Sequence, residues 1–272
     1  MNDKATITGN LRALGVQSGD LLMVHASLKA IGAVEGGPRA IVASILEAVG
    51  PNGTLMGYAS WDRSPYDETL NGAQLSEERR RNWPPFHPET AGTYRGFGVL
   101  NQYLVDTPDA LRSAHPDASM VAVGSLAREM IEPHVLGRAF GQGSPLERFV
   151  KRGGKVLLLG APLDAVTVLH YAEAIAEIPG KRRVTYEMPL LDPQGQTIWA
   201  HTEDFDSNGI LSCFAIDGEP DAVETIANAY VLLGRHREGP VARAHSYLFD
   251  AKDIVEFGVE YLERNFGAAG LT

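Results

Sequence analysis

The sequence predicts an α/β protein built on a largely parallel sheet covered on both faces. Three observations carry this. Short continuous apolar runs, the length of buried strands, alternate along the chain with amphipathic runs long enough for helices. The 272 residues are 44% hydrophobic, enough for one large core. Charged residues make up 21%, which suits a folded chain and not a disordered one.

The elements follow in order. "DLLMVHAS" (20–27) reads as a buried strand, and "PRAIVASILEAVG" (38–50) as a helix closed by Gly50. Between them "HASLKAIG" (25–32) offers backbone N–H groups, Ser27 and Lys29, which suits a phosphorylated or pantetheine-like ligand. "GTLMGYAS" (53–60), "SMVAVG" (119–124) and "KVLLLG" (155–160) read as further strands. "SPLERFVKRG" (144–153) reads as a helix, with Ser144 as N-cap and Pro145 at its first position. "TVLHYAEAIA" (167–176) opens a helix that ends before Pro179-Gly180. The chain closes with helices near 219–234 and 250–265, the second capped by Asp250. No internal repeat is visible, and the whole chain, 1–272, is expected to form one domain.

Two segments break the rhythm. Residues 61–95 are long and rich in Trp, Tyr, Pro and acids, and Trp61, Tyr66 and Trp83 argue for an ordered binding loop. Residues 181–209 read as a β-hairpin turning at Pro193-Gly195.

Charge and motifs exclude several functions. Lys+Arg total 24 against 34 Asp+Glu, a formal charge of −10, which lacks the basic footprint of a nucleic-acid binder and suits a cationic ligand. No run of 18 apolar residues would span a membrane, and "MNDKATITGNLRALG" lacks the basic and apolar regions of a signal peptide. The single cysteine, Cys213, fits a reducing compartment, so a cytoplasmic protein is expected. Its setting in "GILSCFAID" predicts a buried, inert thiol. Neither a P-loop nor a convincing G-x-G-x-x-G is present. His25, His115, His170 and Glu173 share metal-ligand chemistry, but no H-E-x-x-H or Cys/His ligand spacing accompanies them, and no metal is expected.

His170 and Glu173 stand three apart in an apolar helix and so share a face. A glutamate bonded to one imidazole nitrogen fixes the tautomer and leaves the other nitrogen free to take a proton. The helix follows a buried strand, the edge at which α/β folds bind ligands. Spacing alone serves a satisfied structural pair as well as an acid–base pair.

Taken together, "LLMVHASLKAIG" (21–32), "RSAHPDASMVAVG" (112–124), "GQGSPLERF" (141–149), "KVLLLGAPLDAVTVLHYAE" (155–173) and "EDFDSNGI" (203–210) resemble, in order and spacing, the aminoglycoside 3-N-acetyltransferase family. The resemblance runs from about residue 5 to 266, and the loop after residue 58 is similar to the subgroup that acts on gentamicin-type antibiotics. It implies a three-layer α/β/α fold with a mixed, largely parallel central sheet, to which the loop and hairpin are added. It also implies acetyl transfer from acetyl-CoA, as co-substrate, to the 3-amino group of the 2-deoxystreptamine ring. By motif position the catalytic histidine falls on His170 with Glu173 beside it. Coenzyme contacts fall on Ser27, Leu28 and Lys29 and on the block holding Arg112, Ser113, His115 and Ser119. Some relatives carry a carboxylate just before the threonine of T-x-x-H; here that position is Val166.

The implied chemistry suits the residues. The tetrahedral oxyanion needs donors, for which Thr167 is a candidate. A polycation dense in hydroxyls calls for carboxylates and aromatic faces. Asp62, Tyr66, Asp67 and Glu68 lie in the long loop, and Asp204, Asp206 and Asn208 in the second excursion. Lys29 and Arg112 are candidates for the coenzyme phosphates. The expected partners are therefore acetyl-CoA and a cationic aminoglycoside, on a monomer or homodimer, with no nucleic acid and no membrane. The alternative is another CoA-dependent N-acyltransferase of the same fold acting on a different amine.

Overall fold

Strand β1 (Leu21–Ala26) is the axis of the sheet, and its side chains show why. Leu21 and Met23 enter one core cluster, while Leu22 and Val24 enter the other, on the opposite face. A strand buried on both faces reads as the continuous apolar run seen in the sequence. The computed structural model describes residues 2–268, so residue 1 and residues 269–272 of the expected 1–272 domain lie outside the described residues.

β1 pairs in parallel with β2 (Thr54–Tyr58) on one side and with β5 (Lys155–Leu159) on the other. Among the described strands, parallel pairing is confined to these three. Antiparallel β4 (Met120–Gly124) and β3 (Leu111–Arg112) extend one edge. Antiparallel β9 (Ala244–Asp250) and β8 (Arg237–Val241) extend the other, giving the order β3-β4-β2-β1-β5-β9-β8. β6 (Arg183–Leu191) and β7 (Thr197–Phe205) form a separate hairpin, turned at Gly195 with φ 77°.

Helices cover both faces, so the layering is α/β/α. Lys4–Leu14 and Gly37–Val49 bury Ile7, Leu11, Ile41 and Ile45 on one side. Pro145–Lys151, Leu169–Ile175, Ala222–Val231 and Ala251–Phe266 bury Phe149, Leu169, Tyr230 and Ile254 on the other. The expected caps are made: Ser144 accepts from Glu147 N, and Asp250 from Asp253 N. The helix Leu169–Ile175 lies close against Ala251–Phe266. A Cβ on Gly258 would come within 3.0 Å of both Ala172 Cβ and Leu169 Cδ2.

One expectation is corrected. Cys213 is exposed and not buried. It lies in the short 3-10 turn Ser212–Phe214, which turns Leu211 and Phe214 into the core and leaves the residues between them in solvent. An apolar run implies burial only where the backbone period keeps every side chain on a covered face.

No helix among the described residues is long and apolar enough to cross a membrane. No group of three or more His, Cys, Asp or Glu among them is disposed to hold a metal ion.

Candidate active site

The carboxyl ends of β1, β2 and β5 open into a cleft of about 920 Å³. This is the edge at which open α/β sheets bind ligands. β1 brings His25 to it, and the turn after β1 adds Ser27, Leu28 and Lys29. β2 contributes Tyr58. The chain leaving β5 passes through the 3-10 turn Leu163–Ala165 and arrives with Thr167 and His170.

His170 enters the helix Leu169–Ile175 in its first turn. Its Nδ1 lies 2.6 Å from Glu173 Oε2, and its ring stacks on Phe140 with centroids 4.8 Å apart. The two side chains differ in access: His170 is 18% exposed and Glu173 2%. Burial raises the Glu173 pKa, His170 pulls it down, and Asp221 and Asp206 raise it further. A buried carboxylate on one nitrogen and an open cleft at the other make an oriented base.

The cleft wall is acidic. Asp62 and Asp67 from the long loop line it, as do Asp164 and Asp221. Asp117 joins them, held at 2.7 Å by Ser64 Oγ; burial pushes its pKa up to about 6, and Asp67 adds to the rise. Val166 is fully buried, and Asp164 two residues earlier supplies a carboxylate to the wall. Burial raises the Asp164 pKa, and Asp221 raises it further. Two cations, Lys29 and Arg95, also face the cleft, the second beside Tyr94 and Phe97. Gly98 lets that segment approach β1, since a Cβ there would meet Ala26 O at 3.3 Å.

The long loop is ordered. Trp61 is buried and bridges to Thr93, and its ring meets Phe86 edge-on. Tyr66 lines the cleft and packs on Tyr186 of β6 at 5.0 Å. Trp83 stays outside it, edge-on to Trp199 of β7 and donating to Arg63 O at 2.9 Å. Glu68 also stays out, 3.5 Å from Arg79.

Of the residues expected to bind, His170, Glu173, Ser27, Leu28, Lys29, Thr167, Asp62, Tyr66, Asp67 and Asn208 meet at or directly behind the cleft wall. Others are committed elsewhere. Arg112 is a clamp: its guanidinium donates to Ser119 Oγ and to the carbonyls of Ala59, Ala91 and Gly92. Ser113 bonds His134 Nδ1 at 2.9 Å, and His115 Nδ1 accepts from Ala118 N at 3.0 Å. Ser119 donates to Ala59 O. These four residues are outside the cleft lining. Asp204 accepts from Ala139 N at 2.9 Å, and so holds the approach to Phe140. Asp206 pairs with Arg182 at 3.0 Å and accepts from Asn208 N, fixing the turn that presents Ser207 and Asn208 to the cleft.

Residues that sequence reasoning passed over include Asp117, Asp164, Asp221, Arg95 and Phe140. Asp117 was the one with a visible signal, an acid on the approach to a buried strand in "HPDASMVAVG".

A family profile described as aminoglycoside 3-N-acetyltransferase matches residues 23–263. The chain is 70% identical over 268 residues to aminoglycoside N(3)-acetyltransferase III of Serratia marcescens, covering 98% of this chain and 100% of that one. The crystal structure of aminoglycoside acetyltransferase AAC(3)-IIb superposes with a TM-score of 0.97 at 70% identity, covering 98% of this chain and 99% of that one. AAC-IIIb, solved as a binary complex with CoASH, superposes with a TM-score of 0.91 at 40% identity over 98% of both chains.

Proposed function

The chain belongs to the aminoglycoside 3-N-acetyltransferase family, and from that premise we propose how its cleft carries out the reaction. The enzyme transfers acetyl from acetyl-CoA to the 3-amino group of the 2-deoxystreptamine ring of an aminoglycoside, a reaction that confers antibiotic resistance. Acetyl-CoA is its co-substrate.

The 2.6 Å contact between His170 Nδ1 and Glu173 Oε2 carries the mechanism. An amine attacks only as the free base, and most aminoglycoside amines are ammonium at neutral pH. His170 Nε2 accepts the proton as the nitrogen–carbon bond forms. Glu173 holds the proton on Nδ1 and stabilises the imidazolium. The tetrahedral intermediate collapses, the CoA thiolate leaves, and the thiol recovers the proton from His170. Transfer is direct within a ternary complex: Cys213 is exposed and outside the cleft lining, so it is no acetyl carrier.

Substrate recognition divides by charge. Asp62, Asp67 and Asp117 with Tyr66 and Asn208 suit ammonium groups and sugar rings. Lys29 and Arg95 suit the coenzyme phosphates, with Ser27 and Leu28 beside them. Arg112, Ser113, His115 and Ser119 brace the wall from behind, as Asp204 and Asp206 brace Phe140 and Asn208. Because the cleft draws on residues from His25 to Asp221, we take the whole chain as one catalytic domain. A cytoplasmic enzyme without nucleic-acid partners fits the co-substrate and the net charge of −10.

The deciding assay follows thiol release from acetyl-CoA with a panel of aminoglycosides, one of them blocked at the 3-amino group. Release with open substrates and none with the blocked one is expected. Equal release with the blocked one would move the acceptor to another amine.

A further inference from the structure

Amine addition turns the thioester carbonyl oxygen into an oxyanion, which needs a preorganised donor. Several backbone donors around the cleft are already spent. Ser27 N donates to Leu159 O at 3.0 Å, Thr167 N to Ala165 O at 2.8 Å and His170 N to Thr167 O at 3.1 Å. Even Thr167 Oγ1 has an acceptor, Ala165 O, though at 3.4 Å.

His25 is uncommitted. It sits at the carboxyl end of β1, only 6% exposed, and its imidazole forms part of the cleft wall. Its Nε2 is enclosed with no hydrogen-bond partner. An unpaired buried polar atom costs on the order of 1–3 kcal/mol, and native proteins rarely keep one without a use. Among the described residues His236 is the other with an enclosed, unpartnered side-chain atom, but it lies against Tyr247 and Phe249 and outside the cleft. His25 pairs in register with Leu158 of β5, the strand whose continuation delivers His170 to the same cleft.

We propose that His25 is a second catalytic residue, whose neutral imidazole donates a hydrogen bond to the acetyl carbonyl oxygen and stabilises the charge that builds there during transfer. This rests on the acetyl-transfer reading above. Burial, with a smaller contribution from His170, pushes the His25 pKa down to about 4 and keeps the ring neutral. A proton arriving on His170 makes protonation of His25 still harder, so His25 cannot serve as a competing base. A neutral imidazole has one N–H to offer and needs no charge to offer it. In the step itself the amine lone pair forms the bond to carbon and the carbonyl π pair moves to oxygen. The amine proton goes to His170. On collapse the carbon–sulfur bond breaks, and its electron pair leaves on sulfur. His25 makes and breaks no covalent bond.

The test uses His25→Phe, which keeps a ring without a donor, and His25→Gln, which keeps an N–H donor. His25→Phe is expected to lower kcat by about 10²–10³, the usual loss on removing one oxyanion donor, with both KM values little changed. His25→Gln is expected to recover most of that loss. The second readout is the carbonyl stretch of carbon-13-labelled acetyl-CoA bound to His170→Ala enzyme. Adding His25→Phe should move the band to higher frequency, because the carbonyl is no longer polarised. Wild-type kcat in His25→Phe, or an unmoved band, overturns the proposal. If His25→Phe does not fold, loss of turnover in His25→Gln with an unmoved band overturns it equally. The band is read without acceptor, so a wrong acceptor assignment would appear in the thiol-release panel and not here.

Discussion

Glu173 is a carboxylate in a place that disfavours its charge: burial, Asp221 and Asp206 all raise its pKa, and His170 pulls it back down. Stability and catalysis therefore separate at this residue. Glu173→Gln keeps an acceptor for His170 Nδ1 but removes the charge that stabilises the imidazolium. The melting temperature should stay at or above wild type, since a buried charge is gone. Turnover should fall by about 10²-fold or more. Thermal melts and kcat on the same preparation check both halves. His170→Ala should cost about 10²–10⁴ in kcat, the range of a lost general base. Asp117 makes a different prediction, because its pKa lies at about 6. Its charge is present above that value and lost as pH falls through it. The aminoglycoside KM should therefore rise below about pH 6 in the wild type. In Asp117→Asn it should be high throughout, without that step, while the acetyl-CoA KM stays unchanged. Residue chemistry was only half legible in the sequence. His170 and Glu173 could be paired from a helical spacing. Arg112 and Asp117 stand five apart in the same block, and nothing in the sequence shows that the first clamps the wall while the second lines the cleft.

At the scale of elements, the long loop is held to the β6–β7 hairpin by stacked cations and rings. Arg80 lies 4.5 Å over Trp199 and pairs with Glu187, and within the loop Arg79 lies 5.2 Å over Trp83, which meets Trp199 edge-on. Trp199→Ala should loosen that attachment. Amide exchange across residues 62–84 should speed up and the aminoglycoside KM should rise, with little change in melting temperature, because the main core clusters are untouched. An unchanged exchange pattern would assign the order of the loop to Trp61 and Phe86 alone. Arg112→Ala should do the opposite. Three carbonyls and Ser119 lose a buried donor, so a stability loss of about 3–5 kcal/mol is expected, without a selective rise in acetyl-CoA KM. Central strands and long helices were legible because burial imposes a period that composition records. The β8–β9 hairpin was not. β8 carries Arg237, Glu238 and Pro240 and is the last strand of its sheet, where an unpaired edge tolerates proline and charge. The cleft was legible only as two breaks in rhythm. Its shape depends on contacts such as Tyr66 with Tyr186 that join residues far apart in the chain.

At the scale of the whole molecule, the buried imidazoles set the response to acid. His25 and His134 are pushed down to about 4 and His115 well below its ordinary 6.5, in each case chiefly by burial. Each of the three is neutral when folded but takes a proton below pH 6.5 when unfolded. Their contribution is thus fully present above about 6.5 and is lost as pH falls toward the folded values. Asp117, Asp164, Glu173 and Asp204 work the other way, because burial raises their folded pKa and the folded state holds protons that the unfolded state gives up. Above about pH 6 the imidazoles decide the balance: three unfolded rings take up protons while Asp117, the carboxylate raised furthest, is still largely ionised, so the unfolded chain binds the greater number of protons. Each proton of difference tilts stability by about 1.4 kcal/mol per pH unit. The melting temperature should therefore fall between pH 7.5 and pH 6, beyond any loss of activity caused by protonation of the cleft. His115 offers the cleanest variant, because its Nδ1 accepts from Ala118 N at 3.0 Å and an asparagine oxygen can accept there too. His115→Asn should melt with a shallower dependence on pH over the same window. An equally steep dependence would mean that the acid response comes from surface charge, which the net −10 also brings toward neutrality as pH falls. Added salt separates the two: it screens surface repulsion and leaves a buried, solvent-shielded imidazole almost unaffected.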